Sequence, residues 1–157
     1  MRRFVFAFSL LVATSDLRAC RVVDDPIFNN ESGRAHFRAL LRLGQWGYFN
    51  TERAAFILDQ GNGSFASVLW PPSASIWQES FHGQIPERTR AIIHTHPFAW
   101  PLPSEQDRTE AVRLGIPIYV LTFRAIYKTE RFQTIPVIRD EAWFSKSFDQ
   151  TEPASCE

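Results

Sequence analysis

Apolar positions near the start of the chain follow the period of a helix. Phe37, Leu40 and Leu41 are spaced so that they lie on one helical face. We therefore expect an amphipathic helix over roughly residues 34 to 43. Ser32 precedes it and is a suitable N-cap, because a serine hydroxyl can accept an N–H of the first turn.

A hairpin is expected after this helix. Apolar runs over residues 53 to 58 and 64 to 70 predict two strands, and the glycine-rich triplet 61 to 63 between them is typical of a tight turn. The proline pair 71 to 72 ends the second strand, since proline cannot donate a ladder hydrogen bond. Residues 76 to 88 follow no clear period and stay unassigned.

The second half of the chain alternates between strand and helix. The run 90 to 94 predicts a buried strand, 104 to 114 a helix and 116 to 123 another strand, and Gly115 ends the helix. Two shorter strands are expected over 125 to 130 and 135 to 139. The fold class predicted from this order is α/β, a mixed β-sheet flanked by helices in a single domain over residues 33 to 140.

Three potential metal ligands lie where the strand 90 to 94 ends and the next helix begins. His94 and His96 are two residues apart, so a strand directs both imidazoles to one face. Asp107 can reach the same place from the first helical turn. Two histidines and one carboxylate leave the fourth position of a tetrahedral zinc ion open, which is typical of a catalytic site. The alternative is that these histidines are ordinary polar strand residues.

This segment resembles the JAMM (MPN-plus) metalloprotease family. His94-Thr95-His96, seven intervening residues from Pro97 to Pro103, and Ser104-Glu105-Gln106-Asp107 are similar to the downstream half of its motif, and the resemblance covers roughly residues 35 to 125. It implies an MPN/JAB-like fold and a zinc-dependent hydrolase that cleaves peptide or isopeptide amide bonds. The metal ligands that it implies are His94, His96 and Asp107.

The resemblance also implies a glutamate upstream as general base. Glu52 is the preferred candidate because it follows the first predicted helix and precedes a strand, although Ala55 and Asp59 stand where the family often has glycine. The alternative is that Glu52 is a solvated surface residue. Other upstream acidic candidates are Glu31, Glu79 and Glu87.

Ser104 has two interpretations. The resemblance gives it a hydrogen bond that supports the attacking water or the developing oxyanion. A serine followed three residues later by an acidic residue is also typical of a capping box, which would occupy Ser104 and Asp107 in the helix start. Between the motif's two halves, Phe98 and Trp100 either wall a peptide groove or pack into the core.

The N-terminus is typical of a signal peptide. Two arginines precede a ten-residue apolar run that is too short to span a bilayer, and cleavage is expected near residue 15 or 19. Cys20 and Cys156 could pair in an oxidising compartment. Alternatively, Cys20 follows a lipobox-like sequence and carries a lipid anchor. We expect an exported protein, periplasmic or extracellular, with residues 141 to 157 as a C-terminal tail.

Composition limits the partners. The 157-residue chain has a formal net charge of zero, which gives no electrostatic reason to bind nucleic acid, and no run is long enough for a transmembrane span. A peptide or protein substrate is expected. Two alternatives stay open, a catalytically inactive MPN-like binding or scaffold protein and another metal-dependent hydrolase. The sequence leaves the substrate and the oligomeric state undetermined.

Overall fold

The described part of the chain folds into a six-stranded sheet with one α-helix on each face. A computed structural model describes residues 24–47, 52–71, 81–97, 100–140 and 142–145. The predicted signal peptide, both cysteines, Glu79 and Phe98 lie outside these ranges, so the predictions made for them stay predictions. In the described part of the chain, neither helix is long and apolar enough to cross a membrane.

The sheet is mixed, as the sequence predicted. Its strand order is β2-β1-β3-β4-β5-β6, with β3 and β4 parallel and all other neighbours antiparallel. A single helix, α2, connects the two parallel strands, as such a crossover requires. The elements are α1 (Glu31–Leu43), a 3-10 turn (Gln45–Gly47), β1 (Ala54–Asp59), β2 (Phe65–Leu69), β3 (Thr89–Thr95), α2 (Glu105–Leu114), β4 (Ile118–Leu121), β5 (Ala125–Glu130) and β6 (Gln133–Arg139).

The first helix begins earlier than predicted, and Ser32 is not its N-cap. Asn30 caps it instead, and its side chain accepts the N–H groups of Ser32 at 3.0 Å and Gly33 at 3.3 Å. Asparagine caps as well as serine, and its position one residue before Glu31 fits the helix start. The Ser32 hydroxyl accepts the N–H of Phe65 at 2.8 Å and so ties α1 to β2.

The strand predicted over residues 116 to 123 is shorter than expected. It covers only Ile118–Leu121, because Thr122 turns the chain. The Thr122 hydroxyl accepts the N–H groups of Arg124 at 3.3 Å and Ala125 at 3.1 Å, which closes a tight connection to β5.

The two faces of the sheet carry different cores. Phe37 and Leu41 of α1 pack on one face together with Ile93, and Ala111 of α2 packs on the other with Ile92. Alternation along β3 therefore places Thr95 on the α1 face and both motif histidines on the α2 face.

The core also draws on residues outside the range 33 to 140. The buried Asp25 carboxylate accepts a hydrogen bond from the Tyr119 hydroxyl at 2.9 Å and lies 3.1 Å from the Lys128 ammonium. Burial and the nearby Asp25 charge raise the pKa of Tyr119 far above its usual range. At the other end, Trp143 is fully buried and its indole donates to the Thr122 carbonyl at 2.8 Å.

Candidate metal centre

The C-terminal end of β3 meets the first turn of α2. Nε2 of His94 lies 3.2 Å from Oδ1 of Asp107, and Nε2 of His96 lies 3.9 Å from Oδ2 of the same carboxylate. All three side chains are largely buried, with 11%, 11% and 14% of their surface exposed. The structure thus brings together the three residues that the sequence motif predicted as metal ligands.

The donor atoms are of the types that bind zinc. Ligands at 2.0 to 2.1 Å from a tetrahedral zinc are separated from one another by roughly 3.3 Å. The 3.2 Å between Nε2 of His94 and Oδ1 of Asp107 is close to this value. The 3.9 Å from Nε2 of His96 is measured to the other carboxylate oxygen, Oδ2, so the side chains must move before one Asp107 oxygen meets both histidines at zinc spacing. Imidazole nitrogen and carboxylate oxygen are the donors expected of a catalytic zinc site.

A backbone carbonyl orients His96. Nδ1 of its ring lies 3.0 Å from the carbonyl oxygen of Trp100. A carbonyl only accepts, so Nδ1 carries the hydrogen and Nε2 keeps a free lone pair toward Asp107. Burial and the neighbouring His94 lower the pKa of His96 to about 4, against opposing contributions from Asp107 and the Trp100 carbonyl. The ring is therefore neutral near pH 7, the state in which histidine binds a metal.

Asp107 belongs to a capping box and to the histidine cluster at once. Oδ2 of Asp107 accepts the N–H and the hydroxyl of Ser104, both at 2.7 Å, and the Asp107 N–H donates to the Ser104 hydroxyl at 3.1 Å. Oδ1 is left to face His94. Burial opposes ionisation of Asp107, but the charge and hydrogen bond of His94 and the hydrogen bonds from Ser104 hold its pKa well below the usual range.

Glu52 lies beside the histidines. A carboxylate oxygen of Glu52 and one ring nitrogen each of His94 and His96 all lie within 4.8 Å of one another. The residue is half-buried, so the alternative of a fully solvated surface glutamate does not describe its position. Glu52 and the two histidines are thus spaced so that they could hold a metal ion themselves, and Asp107 approaches the same histidine pair from α2.

The chain segment that carries Glu52 is fastened to β3 by Thr95. The Thr95 hydroxyl accepts the N–H of Arg53 at 3.0 Å, and the Thr95 N–H donates to the Arg53 carbonyl at 2.9 Å. The residue between the two histidines thus faces away from the cluster but positions the residue next to Glu52.

The remaining candidates lie elsewhere. The Trp100 side chain is 66% exposed, so it does not pack into the core. Glu31 lies in the first turn of α1 and Glu87 is exposed, and neither belongs to the cluster. His36 lies within hydrogen-bonding distance of the Ser67 hydroxyl at 2.9 Å and the Phe65 carbonyl at 3.0 Å.

The cluster opens onto a cavity of about 790 Å³ between the sheet and α2. Glu52, His94, His96, Ser104 and Asp107 line its polar end. Farther from the histidines, the cavity is lined by the apolar side chains of Phe56, Trp70, Phe81, Ile85, Ile92 and Leu114, with His82, Glu110 and Arg113 among the other lining residues. A cavity with candidate metal ligands at one end and an apolar recess, formed by these six side chains, at the other has the composition of a substrate pocket.

Sequence reasoning missed three features of this site. The alternation of side chains along β3 was enough to predict that Thr95 faces away from the two histidines. Its hydrogen bond to Arg53 could not be predicted, because it depends on pairing between segments 42 residues apart. The Trp100 carbonyl is a backbone group with no sequence signal. Phe81 falls in the stretch that was left unassigned, yet its ring contacts the rings of Phe56 and Trp70.

Compared with protein-family models, with curated proteins and with solved structures, the chain matches none. The chemistry of the site therefore rests on the geometry described above.

Proposed function

We propose that this protein is a zinc-dependent hydrolase that cleaves peptide or isopeptide amide bonds with a metal-activated water. The observation that carries the proposal is the convergence of His94, His96 and Asp107, with a second carboxylate, Glu52, beside them. The two histidines and one carboxylate suit a zinc ion, and the second carboxylate suits proton transfer.

Each residue has a distinct task in this proposal. His94, His96 and Asp107 hold the metal, and the Trp100 carbonyl keeps the His96 ring in the required tautomer. When bound, zinc would lower the pKa of a water molecule toward about 7 and polarise the substrate carbonyl.

Glu52 acts as the general base and then as the general acid. It takes a proton from the attacking water, whose oxygen bonds to the carbonyl carbon, and delivers that proton to the nitrogen as the carbon–nitrogen bond breaks. Its half-buried position within 4.8 Å of the histidine nitrogens supports this role.

Ser104 positions Asp107. Its single hydroxyl hydrogen is donated to Oδ2 of Asp107, and the same bond leaves Oδ1 directed at His94. Assistance to the tetrahedral intermediate by Ser104, which the family resemblance implies, would require this hydroxyl to rotate away from the capping box and stays a prediction.

The order of the residues supports a JAMM-type chemistry. Glu52 precedes β1, His94 is the last residue but one of β3 with His96 directly after the strand, and Ser104 and Asp107 lie at the start of α2, in the arrangement that the resemblance implies. We extend the proposal to an exported enzyme that acts on a peptide or protein substrate, in line with the signal-like N-terminus.

A peptide library with and without zinc tests the proposal. We expect the zinc-loaded wild-type protein to release amines from some peptides of the library. The Glu52→Gln variant should keep its zinc, but its hydrolysis rate should fall by at least about 100-fold, because the general base is removed. Glu87→Gln is the matched control, because Glu87 is exposed and outside the cluster. Zinc binding without hydrolysis of any member would favour a metal-binding scaffold protein instead.

A further inference from the structure

The apolar end of the cavity begins two strand residues from the metal-ligand cluster. Ile92 and His94 are on the same face of β3, about 6.6 Å apart at the rise of a strand. Leu114 lies two helical turns beyond Asp107, about 10.5 Å along α2. This apolar end of the cavity, the recess, is therefore close enough to His94 and Asp107 for a large side chain to enter it from a substrate residue that is bound beside them.

The lining of the recess is aromatic and aliphatic. The rings of Phe56, Trp70 and Phe81 contact one another with centroids 4.8 to 5.3 Å apart. Phe56 and Ile92 are almost fully buried and form the floor, while Trp70 and Phe81 are partly exposed and form a wall.

The charges at the rim do not select a charged occupant. Glu110 and Arg113 both line the cavity, and they form an ion pair with each other along α2.

The indole N–H of Trp70 is buried and has no hydrogen-bond partner among the described residues. A carbonyl of an occupying substrate is a suitable acceptor for it.

We infer that the recess is a specificity pocket for a bulky apolar side chain, such as that of leucine or phenylalanine, on the residue whose carbonyl is attacked. The Cα of that residue is one bond from the reacting carbon, whereas the Cα on the amine side is two bonds away. The side chain of the acyl residue therefore branches nearer the reacting carbon than that of the amine-side residue. This inference rests on the proposed hydrolase function for its orientation relative to the metal.

Binding of small ligands tests the pocket separately from catalysis. The N-acetylated hydroxamates of glycine, leucine and phenylalanine are titrated into zinc-loaded protein by calorimetry. We expect the leucine and phenylalanine compounds to bind at least about tenfold more tightly than the glycine compound, because burial of such a side chain gives that gain or more.

A second series needs no metal. N-acetylphenylalanine amide and N-acetylglycine amide are titrated into chelator-treated protein and followed by NMR chemical shifts. If the protein holds no zinc, the proposed function fails, and this series still reports on the recess. Equal affinity of the paired ligands in both series would overturn the inference even in a zinc-binding, hydrolytically active protein.

Filling the recess gives a matched pair of variants. Leu114→Trp replaces the leucine side chain with a larger indole ring in the recess, and we expect it to reduce the preference for phenylalanine over glycine to less than about threefold. Val112→Trp is the control, because Val112 is 36% exposed on the same helix and does not line the cavity. Retention of the full preference by a folded Leu114→Trp would contradict the assignment, and the wild-type series decides the question if that variant does not fold.

Discussion

Thr95 and Arg53 exchange two hydrogen bonds across the sheet, one to the Thr95 hydroxyl at 3.0 Å and one from the Thr95 N–H at 2.9 Å. Thr95 separates the two candidate metal-binding histidines, and Arg53 follows the candidate general base Glu52. The pairing therefore couples the positions of the two halves of the site, although the Thr95 side chain lies on the opposite face of the sheet. A Cβ atom at Gly44 would lie 2.6 Å from the Thr95 hydroxyl, so α1 also packs closely against it.

Thr95→Val should uncouple Glu52 from the histidines. Valine keeps the shape but leaves the Arg53 N–H without its acceptor, so we expect a loss of about 1 to 3 kcal/mol in the free energy of unfolding. Zinc content should be unchanged and hydrolysis should fall, because only Glu52 shifts. Thr95→Ser retains the hydroxyl and should keep the hydrolytic rate near that of wild type. Denaturant unfolding and metal analysis check both, and a fully active Thr95→Val would exclude the positioning role.

Ser104→Ala should weaken both the helix start and the metal site. Loss of the cap should reduce the free energy of unfolding by about 0.5 to 2 kcal/mol. Loss of the hydrogen bond to Oδ2 of Asp107 should reduce zinc affinity by about 10- to 100-fold. Thr109→Ala is the control, since Thr109 is an exposed hydroxyl residue of the same helix that bonds only to the Glu105 carbonyl. Zinc titration with a competing chelator measures the effect, and equal affinities for the two variants would count against a link between cap and metal.

The sequence allowed the proximity of His94, His96 and Asp107 to be predicted, because the position of each follows from local geometry. His94 and His96 share a strand face by alternation, and Asp107 occupies a first helical turn whose start Ser104 signals. The proximity of Glu52 to them was expected only from the family resemblance, and the sheet register that creates it joins segments about 40 residues apart. The Ser32 cap was wrong because Asn30, an equally good cap, lies two residues earlier.

Zinc-free protein should lose stability as the pH falls from 6.5 to about 4. The pKa of His96 is 6.5 when unperturbed and about 4 in the folded chain, so in this window the unfolded state binds a proton that the folded state excludes. The free energy of unfolding should fall by up to about 1.4 kcal/mol per pH unit from this residue. The lowered pKa of Asp107 acts in the same direction below its usual value of 3.8.

The variant His96→Gln isolates this contribution. It should reduce the slope between pH 6.5 and about 4 while the loss at lower pH, due to Asp107, remains. Urea unfolding in the presence of a chelator gives both curves. Identical slopes for wild type and His96→Gln would show that His96 is not held neutral by its surroundings.

Single replacement of either histidine should abolish zinc binding. Two remaining ligands hold zinc weakly, so we expect His94→Ala and His96→Ala to contain almost no zinc after dialysis, against about one ion per chain in wild type. His82→Ala is the matched control, because His82 is exposed and lines the same cavity without belonging to the cluster. Full zinc content in the doubly substituted His94→Ala, His96→Ala protein would place the metal elsewhere.

Anomalous X-ray diffraction at the zinc edge, from crystals grown with zinc, tests the metal centre most directly. We expect one peak at the end of β3, about 2.0 to 2.2 Å from Nε2 of His94, Nε2 of His96 and a carboxylate oxygen of Asp107. The Glu52 carboxylate should lie outside coordination distance, close enough to accept a proton from an intervening water. A crystal without a peak there, or with Glu52 as the third ligand and Asp107 uncoordinated, would contradict the proposed site.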